Sequence, residues 1–167
     1  MVDATTIKPN LGMSEEQVQG VVDVLKTLLA DEFLLYTKLR NYHWNVTGPQ
    51  FMQLHELFET QYEALAEVVD KIAERIRQYG AFAPGTMAEY VELSRLDEEA
   101  AATYPAARDM VARAVADHEA LVRNLREDIE TVDDLDDEGA EDMLIGLMQD
   151  HQEMAWFLRA FLEGAGL

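Results

Sequence analysis

Apolar residues recur along this chain at intervals of three and four, with almost no alternation, which is the periodicity of helices that bury one face. Four long stretches carry it. The first opens at Ser14, which is placed to form a capping box with Gln17, runs through Val18, Val22, Leu25 and Leu29, and ends near Asn45, ahead of a break at Gly48-Pro49. The second spans about Gln50 to Tyr79 on the stripe Leu54, Phe58, Gln61, Leu65, Val68, Ile72, Ile76 and Tyr79, in which Gln61 is the one polar member. The third takes Pro105 into its first turn and carries Val111, Val115, His118, Val122, Leu125, Ile129 and Val132. The fourth spans about Glu138 to Leu162, with Leu144, Met148, His151, Ala155, Leu158 and Leu162 facing one way. Between the second and third, Thr86 and Glu89 mark a second capping box and predict a short helix over 86–93.

Four long helices with inward stripes make an all-α four-helix bundle. The connection between the second and third helices is long enough to cross the bundle, and a single crossover is the ferritin-like topology. The chain divides into a tail, 1–13, and one domain, 14–167.

Composition narrows what such a bundle can do. Of 167 residues, 49% are apolar, enough for a core in spite of a net charge of −20 from 33 acids and 13 bases. There is no cysteine, which removes disulfides, thiol catalysis and cysteine-bound zinc. No apolar run is long enough for a membrane span, and the first ten residues lack the basic and apolar regions of a secretion signal, so a cytoplasmic protein is expected. So acidic a surface repels nucleic acid and attracts cations. The acidity is uneven: residues 84–167 carry net −15, and residues 127–142 hold ten acids and no base. That run is either a solvated loop or a funnel for cations. Glu127, Asp128 and Glu130 also oppose the dipole at the end of the third helix, so something other than that helix selects them.

The four histidines divide into two kinds. His118 and His151 fall inside apolar seams and read as core histidines satisfied by a hydrogen bond. His43 ends the first helix and His55 lies one turn into the second, so the break between them folds the two together. His55 shares a helix face with Glu59, and Asp70 shares one with Glu74, each at i,i+4. Imidazole with carboxylate suits iron, manganese or zinc. Alternatively these acids are plain surface groups paired with Lys71, Arg75 or Arg77.

One helix cannot bring both pairs to one ion. Glu59 and Asp70 lie roughly 16 Å apart along the axis, whereas a metal holds its ligands at about 2–2.5 Å. Two copies crossing antiparallel can do so. Positions 55 and 74 have the same number sum as 59 and 70, so one two-fold axis pairs His55 with Glu74 and Glu59 with Asp70, with Tyr62 and Ala66 near the axis. The intrasubunit alternative fails: a di-iron bundle uses Glu-x-x-His, and the residues three before the histidines are Arg40, Met52, Val115 and Met148. There is also no phosphate-cradling glycine loop, no nucleophile–base arrangement and no His-Glu-x-x-His.

The stretch Tyr42-His43-Trp44-Asn45-Val46-x-Gly48-x-x-Phe51-x-x-Leu54-His55-Glu56-x-Phe58-Glu59, followed by Asp70-x-x-Ala73-Glu74-Arg75, resembles the signature of the Dps family, the small ferritin-like DNA-binding proteins from starved cells. The resemblance covers the chain beyond the tail. It implies a hollow homo-dodecamer with ferroxidase centres at its two-fold interfaces, where iron is oxidised by peroxide or dioxygen and stored as ferric mineral. It implies His43, His55 and Glu59 as ligands from one subunit and Asp70 and Glu74 from its partner. The family often has Asp where this chain has Glu59. Trp44 resembles the family's aromatic beside the centre, either an electron donor or simply packing at a helix end. Asp133, Glu138 and Asp142 match positions lining acidic pores for iron entry. Zinc at the same centre, in a non-catalytic shell, is the alternative. DNA compaction is the other, and it is disfavoured: residues 1–14 hold only Lys8 against Asp3, and the last five residues are not basic.

Overall fold

The computed structural model describes residues 8–163, so the first half of the tail and the last four residues lie outside the described chain. The described residues form α1 (Glu15–Asn45), α2 (Phe51–Gln78), α3 (Met87–Leu93), α4 (Ala107–Asp133) and α5 (Glu138–Glu163), with no strand among them. Both expected capping boxes are present. Ser14 Oγ accepts from Gln17 N at 3.2 Å while Gln17 Oε1 accepts from Ser14 N at 2.9 Å, and Thr86 and Glu89 exchange the equivalent bonds. These satisfy amide groups that a helix start leaves without partners. Pro105 differs from expectation. Ala106 stays extended and caps α4, so the proline stands one residue outside the helix.

Short links at 46–50 and 134–137 pack α1 along α2 and α4 along α5, and the long segment 79–106 carries α3 against α1. This is the ferritin-like arrangement of two hairpins joined by a crossover. The α4–α5 corner is fitted tightly to the start of α1. Gln17 Nε2 donates to Leu135 O at 3.0 Å, and a Cβ on Gly20 would lie 2.8 Å from Leu135 Cδ1, so a larger residue there would make the Leu135 side chain shift.

The core follows the predicted stripes in α1, α2 and α5, with Val18, Val68, Met148 and Leu162 only half-buried. In α4 Val111, Val115, His118, Leu125 and Val132 are buried as expected, and the core shifts by one position at two places. Leu121 and Asp128 are buried, whereas Val122 and Ile129 are half-buried. Arg95, from the crossover, explains Asp128. Its Nη1 and Nη2 donate to the two Asp128 oxygens at 2.9 and 2.8 Å, and its Nε donates to Asp31 at 2.8 Å. Asp31, fully buried in α1, also accepts from Ser94 Oγ and Arg95 N. A planar guanidinium meets two carboxylates in a fixed fork. Asp128, unfavourable for its own helix dipole, thus ties the crossover to the bundle.

Candidate metal centre

The corner between α1 and α2 is built by backbone geometry. Gly48 takes φ +116, a conformation that favours glycine. The turn sets the last residues of α1 beside the first turns of α2. There the two histidines bind each other's main chain: His43 Nδ1 donates to His55 O and His55 Nδ1 donates to His43 O, both at 2.8 Å. A carbonyl oxygen can only accept, so each Nδ1 carries its proton. In its neutral form each ring then has its lone pair on Nε2, the form of a metal-ligating imidazole whose other nitrogen is held by a carbonyl. The rings stack with centroids 3.7 Å apart and planes 19° apart. Two imidazoles with bare Nε2 atoms therefore stand side by side, His43 almost wholly buried and His55 half-buried.

The walls are aromatic. Phe51 stacks on His55 at 5.0 Å, and Tyr62 meets His43 edge-on at 5.2 Å. Glu59, half-buried one turn beyond His55, accepts from Tyr62 Oη at 3.3 Å. Desolvation and the Glu59 carboxylate raise the Tyr62 phenol above its usual pKa. Trp44 is 63% exposed, and its ring lies 4.9 Å from the Arg40 guanidinium. Arg40 also lies over Tyr36 and Tyr62, at 5.4 and 5.5 Å, and donates to Tyr36 Oη at 2.6 Å. Arg40 and Tyr36 stand outside the site residues expected above, although their i,i+4 spacing with Trp44 is a signal for them.

Asp70 and Glu74 are exposed, further along α2, and are not brought to the histidines. Among the described residues, no three histidines or acids of the chain are placed to hold one ion. The arginines nearby are engaged elsewhere: Arg75 with Asp137 at 3.6 Å and Arg77 with Ala81 O at 2.6 Å. No salt bridge among the described residues engages Asp70 or Glu74.

The acidic corner separates structural acids from free ones. Asp137 is buried, caps α5 through Ala140 N at 2.9 Å, and accepts from Tyr79 Oη. Asp133 ends α4, Glu138 begins α5, and Asp142 follows one turn later; all three are exposed. His118 and His151 are buried and hydrogen-bonded as expected, to each other, through Nδ1 atoms 2.9 Å apart.

Fold and corner together define a ferritin-like bundle, and residues 22–165 match the ferritin-like domain family. The chain is 47% identical over 156 residues to an uncharacterized low temperature-induced protein of Nostoc sp., covering 93% of this chain and 87% of that one. It is 42% identical over 142 residues to DNA protection during starvation protein 2 of Bacillus anthracis, covering 85% and 96%. The crystal structure of a Dps protein from Bacillus brevis superposes with a TM-score of 0.85 at 36% identity, covering 90% of this chain and all of that one. The chain belongs to the Dps family.

Proposed function

We propose that this chain is an iron-storing and detoxifying protein of Dps type. It assembles in the cytoplasm into a homo-dodecameric shell with ferroxidase centres at two-fold interfaces. His43, His55 and Glu59 of one subunit and the partner's Asp70 and Glu74 bind ferrous iron there. Hydrogen peroxide, or dioxygen more slowly, takes electrons from that iron. Two ferrous ions and one peroxide, with two protons, give two ferric ions and two waters, so no hydroxyl radical leaves. Ferric oxide-hydroxide is stored inside, and the protein thereby protects against oxidative stress. Asp133, Glu138 and Asp142 focus cations toward the entry pores.

The observation that carries this reading is the reciprocal pair of Nδ1–carbonyl bonds. It fixes both rings in the ligating tautomer before any ion arrives, so binding costs little reorganisation. Asp70 and Glu74 are exposed and in no salt bridge among the described residues, which supports their use by a second copy. Paired imidazoles also suit zinc, which would occupy the same centre and compete with iron. The net charge of −20 opposes contact with DNA phosphates.

The test is iron oxidation by peroxide. The His43→Ala/His55→Ala double variant, still assembled, is expected to lose about tenfold or more of the initial rate. An undiminished rate overturns the centre. Sedimentation of the wild-type protein showing nothing larger than a dimer overturns the shell, and retardation of DNA at low salt reinstates DNA compaction.

A further inference from the structure

The acid of the corner is held by a tyrosine. Tyr62 stands three residues after Glu59 on α2. Helical side chains lean toward the helix start, so its ring reaches back over the preceding turn. There Tyr62 Oη donates to Glu59 Oε1 at 3.3 Å. The same ring meets His43 edge-on, with planes 78° apart and centroids 5.2 Å apart. One side chain of α2 thus touches both a carboxylate of its own helix and an imidazole of α1.

Two side chains of α1 hold the ring in turn. Tyr36 packs on it edge-on, with centroids 6.2 Å apart, and the Arg40 guanidinium lies 5.5 Å from its centre. Arg40 and Tyr36 are themselves tied, since Arg40 Nη1 donates to Tyr36 Oη at 2.6 Å. The contacts with His43, Tyr36 and Arg40 are made by the ring, and a phenylalanine would keep them. The bond to Glu59 alone needs the hydroxyl. Packing therefore accounts for an aromatic ring at this position but not for a tyrosine.

The carboxylate gains more from such a bond than the imidazoles would. Backbone carbonyls already fix both histidine rings. Glu59 has a long side chain with several rotatable bonds, and it gives up that freedom when its carboxylate binds an ion. The Tyr62 bond removes part of the freedom beforehand. It also engages Oε1, which favours an ion held through Oε2 alone over one held by both oxygens.

We infer that Tyr62 is a positioning residue of the metal centre: its hydroxyl presets the Glu59 carboxylate as a ligand through one oxygen, while its ring braces His43. This role rests on the centre proposed above. Ligating carboxylates are commonly oriented by an outer hydrogen bond, and loss of such a partner costs about 10–100-fold in metal affinity or activity.

The test reads the binding of cobalt(II) to the assembled protein. Without an added oxidant the ion stays divalent, and its visible absorption reports its ligands apart from any turnover. Tyr62→Phe keeps the ring and removes the hydroxyl. It is expected to weaken cobalt binding about tenfold or more and to change the absorption bands. Glu59→Asp supplies the second background. It withdraws the carboxylate by one methylene, about 1.5 Å, from a hydroxyl already at 3.3 Å. There Tyr62→Phe should change the affinity by less than about twofold. Wild-type affinity in Tyr62→Phe overturns the role. So does an equal loss in both backgrounds, since the effect would not then pass through Glu59. The His43→Ala/His55→Ala variant separates this role from the centre. If it binds cobalt as tightly as wild type, the centre falls and the role with it. If it loses cobalt while Tyr62→Phe does not, the role alone falls.

Discussion

The four histidines make two pairs that differ in what each ring nitrogen binds. At the corner, His43 and His55 give Nδ1 to backbone carbonyls and keep Nε2 bare. In the core, His118 and His151 spend nitrogens on each other and on Glu32. Backbone carbonyls cannot titrate, so the corner is a fixed pair of ligands. A carboxylate and a second imidazole do not fix a ring's proton in that way, so the core pair is a buried hydrogen-bonded line rather than a preset ligand pair. Burial alone does not separate them: His43 is 7% exposed and His151 1%. The partner atoms do.

The sharpest break in this comparison is His151→Ala. It strands Glu32 as a buried acid without its partner and opens a cavity. We expect a loss of about 3–5 kcal/mol in the stability of metal-free protein, read from denaturant unfolding. A loss under about 1 kcal/mol would mean that the Glu32 contact carries no net energy.

Acid is the next largest lever, and it acts on the core. The folded-state pKa of His118 lies well below 6.5, so below that pH the unfolded chain binds a proton that the folded chain refuses. The stability contribution is therefore complete above about pH 6.5 and is lost as the pH falls below it, at up to about 1.4 kcal/mol per pH unit. His118→Gln should flatten the profile between pH 6.5 and 5, measured by unfolding at each pH. An unchanged slope would assign the acid sensitivity to other groups.

The corner should respond differently. His43→Ala removes one of the two reciprocal bonds, since the main-chain carbonyl of residue 43 remains to accept from His55 Nδ1, at a cost of about 1 kcal/mol. Iron oxidation should collapse with it. A variant that lost stability on the scale of His151→Ala would make the corner a structural clasp first and a ligand pair second.

How much of this was legible follows from what one sequence encodes. Helices, capping boxes and the crossover were readable because spacing and caps are local. That His43 meets His55 was readable too, since Gly48-Pro49 lies between them. The reciprocal bonds were not, because a carbonyl's direction leaves no mark in the residue type. The two core histidines were assigned to the right seams, but their contact depends on the register between α4 and α5. The Ile129 position in the seam was off by one because Arg95, distant in sequence, draws Asp128 inward. Asp70 and Glu74 stay unmatched, for the groups that would complete them belong to a second copy.

Arg40 sharpens the comparison at its smallest scale. Its guanidinium lies between Trp44, Tyr36 and Tyr62, and Tyr62 in turn touches His43 and Glu59. It touches none of the proposed ligands itself. Each exposed cation–π contact contributes about 0.5–1 kcal/mol, so Arg40→Met, which keeps the length and loses the charge, should cost about 1 kcal/mol. The emission of Trp44, read in a Trp156→Phe background, should shift as its cover loosens. Iron oxidation should fall far less than in the double histidine variant, because both Nε2 atoms stay fixed by backbone bonds that Arg40 does not make. A loss as large as that of His43→Ala/His55→Ala would place Arg40 among the groups that contact iron or oxidant. The corner would then owe its reactivity to a cation as well as to its two imidazoles.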